Sequence, residues 1–202
     1  MTSDVRILRS DAPERAGLER DGWVVAARSW GAELIAADCD RARLRALVAR
    51  AEPTGQVRAL TADDVAIILA LDAATANDYP GREATAHAPL TASRATVSPS
   101  RRAYGIVDPD GSLAAMTFVD IEPEHAEVDF TVVAARRRGL GLATAVKAAS
   151  VLDLLDSGVT AFRTGGSSEN SAILAANRAV GFEVDEEWLT LAPPAALPTA
   201  GA

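Results

Sequence analysis

Hydrophobic and polar positions follow two rhythms along this chain. Residues 102–107 (Arg-Ala-Tyr-Gly-Ile-Val) and 113–120 are β-rich runs joined by Asp108-Pro109-Asp110-Gly111, whose residue types supply a tight turn. A second connection, Ile121 to His125, leads into a third run, Ala126 to Val133, so the three read as an antiparallel meander. Helical spacing governs Thr61 to about Asp78. Thr61 serves as N-cap, Asp63 and Asp64 complement the dipole, and Val65, Ile68 and Leu69 form an apolar stripe ended by Tyr79-Pro80-Gly81. Gly141 to about Asp156 is an alanine-rich helix, and Gly158 to Thr164 a strand. A further helix follows, capped by Ser168 or Asn170, striped by Ile173, Leu174 and Val180 and closed by Gly181. Gln56 to Leu60 and Glu183 to Leu191 read as the first and last strands of this region, and Arg82 to Pro99 as loop or short helix. Interspersed strands and helices make the class α/β (α+β).

The first 52 residues form an N-terminal extension. Leu18-Glu-Arg-Asp-Gly22-Trp23 through Trp30 resembles Asn177-Arg-Ala-Val-Gly181-Phe182 through Trp188, an internal echo at a spacing of about 159 residues. Residues 1–36 are therefore expected to give a helix end and two strands, the tail of an upstream unit like the one that follows. Asp40 to Ala51 is read as a linking helix. Residues 53–192 are the main domain, and 193–202 a disordered tail of Ala, Pro and Gly.

Composition narrows the function classes. An apolar share of 49% suffices for a core, and no apolar run reaches the roughly 20 residues of a membrane span. The N-terminus lacks the basic start and apolar run of a secretory signal, which points to the cytoplasm. One cysteine, Cys39, and two histidines, His87 and His125, argue against a disulfide, a metal site and a Ser-His relay. A net charge of −8 argues against nucleic acid and favours a cationic, amine-bearing small molecule as partner.

The most telling stretch is 131–147, where a β-branched run feeds a basic glycine turn that opens into a helix. Free backbone N–H groups and the helix dipole converge there, which suits phosphate. A P-loop is ruled out, since no Lys follows Gly141 before Lys147. A dinucleotide fingerprint is only half met, because Thr144 stands at the third glycine place and the next acids, Asp153 and Asp156, fall on the helix. A third pattern, Arg/Gln-x-x-Gly-x-Gly/Ala, is met by Arg138-Gly139-Leu140-Gly141-Leu142-Ala143 and, in an overlapping register, by Arg136 to Gly141.

This last pattern, with the helix running from Asn170 to Gly181-Phe182, resembles the GNAT (GCN5-related N-acetyltransferase) superfamily over roughly residues 55–191. The resemblance implies a mixed, mostly antiparallel central sheet flanked by helices, and acetyl-CoA as cosubstrate without a metal. It implies that Thr131, Val132 and Val133 meet the pantetheine arm, and that Arg138, Gly139, Leu140, Gly141, Leu142, Ala143 and Thr144 hold the pyrophosphate. It also implies cofactor contacts from Asn170 and Asn177, on the helix beside them. Many relatives dimerise, so a homodimer is one expected state.

Transfer to an amine also needs a base and a proton for the thiolate. Glu127 matches the glutamate base of the histone-acetyltransferase branch, and Asp129 is the second candidate; alternation places both on one strand face with Thr131. The tyrosine that many relatives use as acid is replaced by Asn177, whose amide has no proton to give at neutral pH. Thr164-Gly165-Gly166 also departs from the Thr-Gly-Asn of related sequences. Two readings stay open: direct acetyl transfer to a small amine, and a catalytically degenerate acyl-CoA-binding or sensing module.

Overall fold

Local chemistry sets the ends of most elements. The Asp108–Gly111 turn closes through Gly111 N–H donating to the Asp108 carbonyl at 2.9 Å, with Gly111 at φ 84°. Thr61 and Asp64 form a reciprocal capping box, and the first turn after Thr61 is a 3-10 turn, Ala62–Asp64, before the α-helix proper. The Asn170 carboxamide accepts from Ile173 N–H at 3.1 Å, so Asn170 and not Ser168 is the cap.

The computed structural model describes residues 5–76, 78 and 89–194. In chain order the elements are β1 (Arg6–Arg9), α1 (Arg15–Arg20), β2 (Val24–Ile35), α2 (Arg41–Ala49), β3 (Gln56–Ala59), α3 (Val65–Thr75), α4 (Ala92–Ala95), β4 (Arg101–Val107), β5 (Leu113–Ile121), β6 (His125–Val133), α5 (Leu142–Asp156), β7 (Ala161–Ser167), α6 (Ser171–Val180) and β8 (Glu183–Ala192). The expected helix stop at Tyr79-Pro80-Gly81, most of the loop from Arg82, and most of the C-terminal tail lie outside the described residues.

All eight strands join one sheet in the order β1-β8-β2-β7-β6-β5-β4-β3. Every neighbouring pair is antiparallel except β6 and β7, which run parallel. The parallel ladder is short. It pairs His125, Ala126 and Glu127 with Ala161, Phe162 and Arg163 and then stops, so the strands part and leave a cleft. One face of the sheet is covered by α3 and α4 over Leu60, Ile68, Leu71, Phe118, Phe130 and Val132. The other carries α5, with α2 and α6 against it, over Val119, Ala126, Phe162 and Ala115.

The N-terminal residues are part of this sheet. They give one strand before α1 and one twelve-residue strand after it, and β2 lies between β7 and β8. Strand–helix–strand β1-α1-β2 and strand–helix–strand β7-α6-β8 are related by a local pseudo-twofold between β2 and β8. Shift each residue by the 159 positions separating Gly22 from Gly181, and Val24↔Ala192 becomes Glu33↔Glu183, Val25↔Leu191 becomes Ala32↔Val184, and Arg28↔Leu189 becomes Trp30↔Glu187, all observed pairs. Ser29↔Trp188 maps onto itself. Even the irregularities correspond: each strand carries one extra residue, Ala26 in β2 and Asp185 in β8. Trp23 N–H donates to the Leu18 carbonyl at 3.0 Å, and Phe182 N–H to the Asn177 carbonyl at the same distance. Gly22 and Gly181 make these helix stops with φ of 87° and 120°, a region open mainly to glycine.

Candidate active site

The cleft between β6 and β7 continues into a pocket of about 480 Å³. Thr131, Val132 and Val133 supply the β6 wall, and Arg138, Gly139, Gly141, Leu142, Ala143 and Thr144 the basic turn and first turn of α5. Asn170 stands on the α6 side. Sequence spacing thus brings most of its candidate binding residues to one place. Two depart: Leu140 is not in the lining and is 55% exposed, and Asn177 is fully buried behind it. Leu140 points away because Gly139 and Gly141, both at positive φ (78° and 74°), reverse the chain on either side of it.

The turn is built to leave donors free. Gly141 is the N-cap of α5 and has no side chain to bond the first-turn N–H groups of Leu142, Ala143 and Thr144. A Cβ placed on Gly139 or Gly141 would meet nothing within 4 Å, so the space over the turn is open. Dipole and free N–H groups make this an anion cradle.

The three arginines divide their work. Arg136 and Arg137 reach the buried Asp108 carboxylate, Arg137 by Nη2 at 3.0 Å, and brace the turn against the β4–β5 hairpin. Arg138 is held at the pocket mouth by Asp78 and by the Val133 carbonyl at 3.3 Å from its Nε. Arg138 and Arg137 line the pocket, and Arg136 does not.

Sequence reasoning missed Thr75, Asp78, Ala172, Ile173, Ala175 and Ala176 in the lining. Ile173 and Ala176 lie three and six positions after Asn170, a helical face that the spacing already held. Thr75 and Asp78 carried no signal, because they arrive from α3 across the sheet.

The expected common face of Glu127, Asp129 and Thr131 does not form. Val128 pairs with Val119 and Phe130 with Phe118, so Asp129 is an extra, bulged residue. The bulge breaks the alternation: Glu127, opposite Asp120, stays on the α3 face, while Thr131, opposite Thr117, turns to the α5 face. Asp129 is taken up by Arg101 at 2.6 Å and Arg94 at 3.4 Å. Glu127 is exposed and has no ion-pair partner among the described residues. The two candidate bases are therefore unequal, and neither lines the pocket.

The departure at Gly166 has a structural reason. Trp30 of β2 pairs opposite it, and a Cβ there would come within 2.8 Å of the indole. Trp30, only 5% exposed, bonds by Nε1 to the Ser167 carbonyl at 3.3 Å. Ile173, a lining residue, sits 3.3 Å from the same point, so the indole backs the pocket wall.

A parallel pair that parts beside a glycine turn, inside an otherwise antiparallel sheet, is a specific arrangement. Three solved structures are similar to this chain in overall fold. A GCN5-related N-acetyltransferase from Kribbella flavida is 19% identical, with 95% of this chain and 68% of that one covered and a TM-score of 0.61. One from Sphaerobacter thermophilus is 14% identical, with 96% and 61% covered and a TM-score of 0.64. A tandem GNAT protein from the clavulanic acid biosynthesis pathway is 20% identical, with 93% and 62% covered and a TM-score of 0.62. This chain has the GNAT fold. It spans 61–68% of the length of those three proteins. No protein-family model and no curated protein matches the sequence. Among the described residues of this GNAT-fold chain, no helix is long and apolar enough to cross a membrane, and no cluster of three or more His, Cys, Asp or Glu side chains could hold a metal.

Proposed function

We propose that the pocket receives acetyl-CoA and that the protein moves its acetyl group directly to the amine of a small molecule in the cytoplasm. The observation that carries this reading is the uncapped start of α5, with Gly139 and Gly141 at positive φ, opening onto the gap where β6 and β7 part. The cosubstrate brings an activated thioester; the chain must hold and orient it. First-turn N–H groups of α5 suit its diphosphate. The β6 edge at Thr131–Val133 has no β7 partner, so its amides are free to pair with an extended, amide-bearing arm as an added strand would. Glu127 is the better placed base, reaching an amine through water from the α3 side. An acidic chain, net −8, attracts such an amine.

The second reading, an acyl-CoA-binding module without turnover, is favoured by Asn177, which stands where many relatives carry a tyrosine and is buried. The experiment separates them in two stages. CoA should protect the protein against thermal unfolding, and Gly141→Val should abolish that protection; undiminished protection would place the anion elsewhere. Thiol release from acetyl-CoA is then followed with a panel of amines and repeated in Glu127→Gln. Protection without release for any amine would leave only the binding module.

We also propose that residues 6–35 are the closing strand–helix–strand of a second GNAT-like unit, on the strength of the pseudo-twofold. A full-length GNAT-fold unit superimposing on β1-α1-β2 through its terminal strands is the expected result; failure to superimpose would remove the idea.

A further inference from the structure

Behind the pocket wall, α5, α6 and β7 enclose three polar side chains that the proposed function does not use. Lys147 lies one turn beyond the lining residues Ala143 and Thr144 and is 1% exposed. Its Nζ donates to Thr164 Oγ1 at 3.2 Å and stands 6.0 Å from the Phe182 ring centroid. Thr164 is the first β7 residue past the last β6–β7 pair, so it marks the head of the cleft. Asn177, one turn beyond the lining residue Ile173, is fully buried, and neither its Oδ1 nor its Nδ2 has a partner among the described residues.

A structural role fits this cluster poorly. An ammonium carries three N–H donors, and here one is placed, on a neutral hydroxyl. Among the described residues Lys147 has no carboxylate partner, and a buried unpaired cation and an orphaned amide each weaken a fold. Burial alone lowers the Lys147 ammonium to about 7. The charged groups on the surrounding elements are engaged or outward. Asp153, farther along α5, holds Tyr104 and Arg102; Arg163 on β7 holds Asp185, Glu186 and Glu33. Arg178 on α6 and Arg43 and Arg45 on α2 are exposed, and Arg41 pairs with Asp156. Asp120 on β5 pairs with Arg101 on β4, Arg58 on β3 with Asp64, and Glu127 and Asp129 lie on the other face of β6.

We propose that Lys147, acting through Thr164 at the head of the cleft, is the proton source for the thiolate that leaves when the thioester is cleaved, in place of a hydroxyl at position 177. This rests on the acyl-transfer reading of the pocket. As the amine nitrogen bonds to the carbonyl carbon, the C–S bond breaks and its electron pair stays on sulfur. Sulfur takes the Thr164 hydroxyl proton, and Thr164 is reprotonated from the Lys147 ammonium. The neutral Lys147 recovers a proton from solvent, which has received the one lost by the amine. A thiol ordinarily ionises above 8, so the transfer from this ammonium to a thiolate runs downhill.

The test uses CoA itself and does not depend on turnover. Ionisation of the bound thiol is followed by thiolate absorbance against pH in the wild type, Lys147→Met, Lys147→Arg and Thr164→Val. Where a thiol ionises the wild-type amine is already neutral, whereas the guanidinium of Lys147→Arg stays charged, so Lys147→Arg should raise the bound thiol's ionisation constant about tenfold or more over Lys147→Met. Lys147→Met should also melt higher than the wild type. Turnover in Lys147→Met should fall on the order of a hundredfold and lose the alkaline limb of its pH profile. Identical thiol titrations in Lys147→Arg and Lys147→Met, with CoA bound to both, would overturn the proposal and leave the acyl-CoA reading standing. Failure of CoA to protect the wild type against unfolding would sink that reading, and this one with it.

Discussion

The two strand–helix–strand units share a backbone ladder and differ in almost everything that the ladder supports. In β7-α6-β8, α6 is ten residues long and buries Ala176, Asn177 and Val180 against α5. In β1-α1-β2, α1 has six residues and buries none. Phe182 is 3% exposed in the main core, whereas its counterpart Trp23 is a partly buried neighbour of a small cluster of Leu8, Leu189 and Leu191. Asn177 corresponds to Leu18, an apolar residue. Strand pairing sets geometry, therefore, and function enters only where a third element packs on the unit. Here that element is α5.

If that is right, truncating the two aromatic counterparts should give very unequal losses. Phe182→Ala is expected to cost about 3–5 kcal/mol and Trp23→Ala about 1 kcal/mol, measured by denaturant unfolding. Equal losses would mean that the N-terminal unit is as deeply packed as its twin. Trp30→Ala tests whether the N-terminal unit serves the site. It should cost about 3 kcal/mol and also weaken CoA protection, because the indole backs the pocket wall beside Gly166 and Ile173. Protection unchanged by the substitution would confine Trp30 to packing.

Lys147→Met should stabilise the fold by about 1–4 kcal/mol at pH 6. The amine ionises at about 7 when folded against 10.5 for the free side chain. Between those values the unfolded chain holds a proton that the folded one lacks, so wild-type stability rises with pH across that window. The advantage of the Met variant should therefore shrink from pH 7 towards 10.5. An advantage constant with pH would place the ammonium in water. Asn177→Leu, which copies Leu18, should add about 1 kcal/mol by removing an orphaned amide; a loss instead would reveal a partner for Asn177. Smallest and most alike are Gly22→Ala and Gly181→Ala, each costing about 1 kcal/mol, because both glycines sit at positive φ.

What was legible in the chain was what is local. Turn residues at Asp108–Gly111, the Thr61 cap, the glycine turn and the Asn170–Gly181 helix fixed element types and most of the pocket lining before any strand was paired. The repeat between Gly22-Trp23 and Gly181-Phe182 was visible for the same reason. Three features were not. The bulge at Asp129 is a property of the β5–β6 register, and it undid an argument from alternation. The burial of Lys147 depends on α5 meeting α6, whereas its spacing alone reads as a solvated helix face. The loss of a side chain at Gly166 makes sense only once Trp30, far away in sequence, is opposite it.

The place of β2 has a consequence for how the protein is made. Its neighbours on both sides, β7 and β8, lie at the far end of the chain, with Ser29 facing both Ser167 and Trp188. An emerging chain exposes β2 long before either of its partners, so this strand must wait with two open edges while the meander forms. Such distant pairing slows folding, and an unpaired strand invites wrong partners. A brief hold by a chaperone on residues 24–35 during synthesis, seen as crosslinks to nascent chains that end before Ala161 and absent from longer ones, is what this topology predicts.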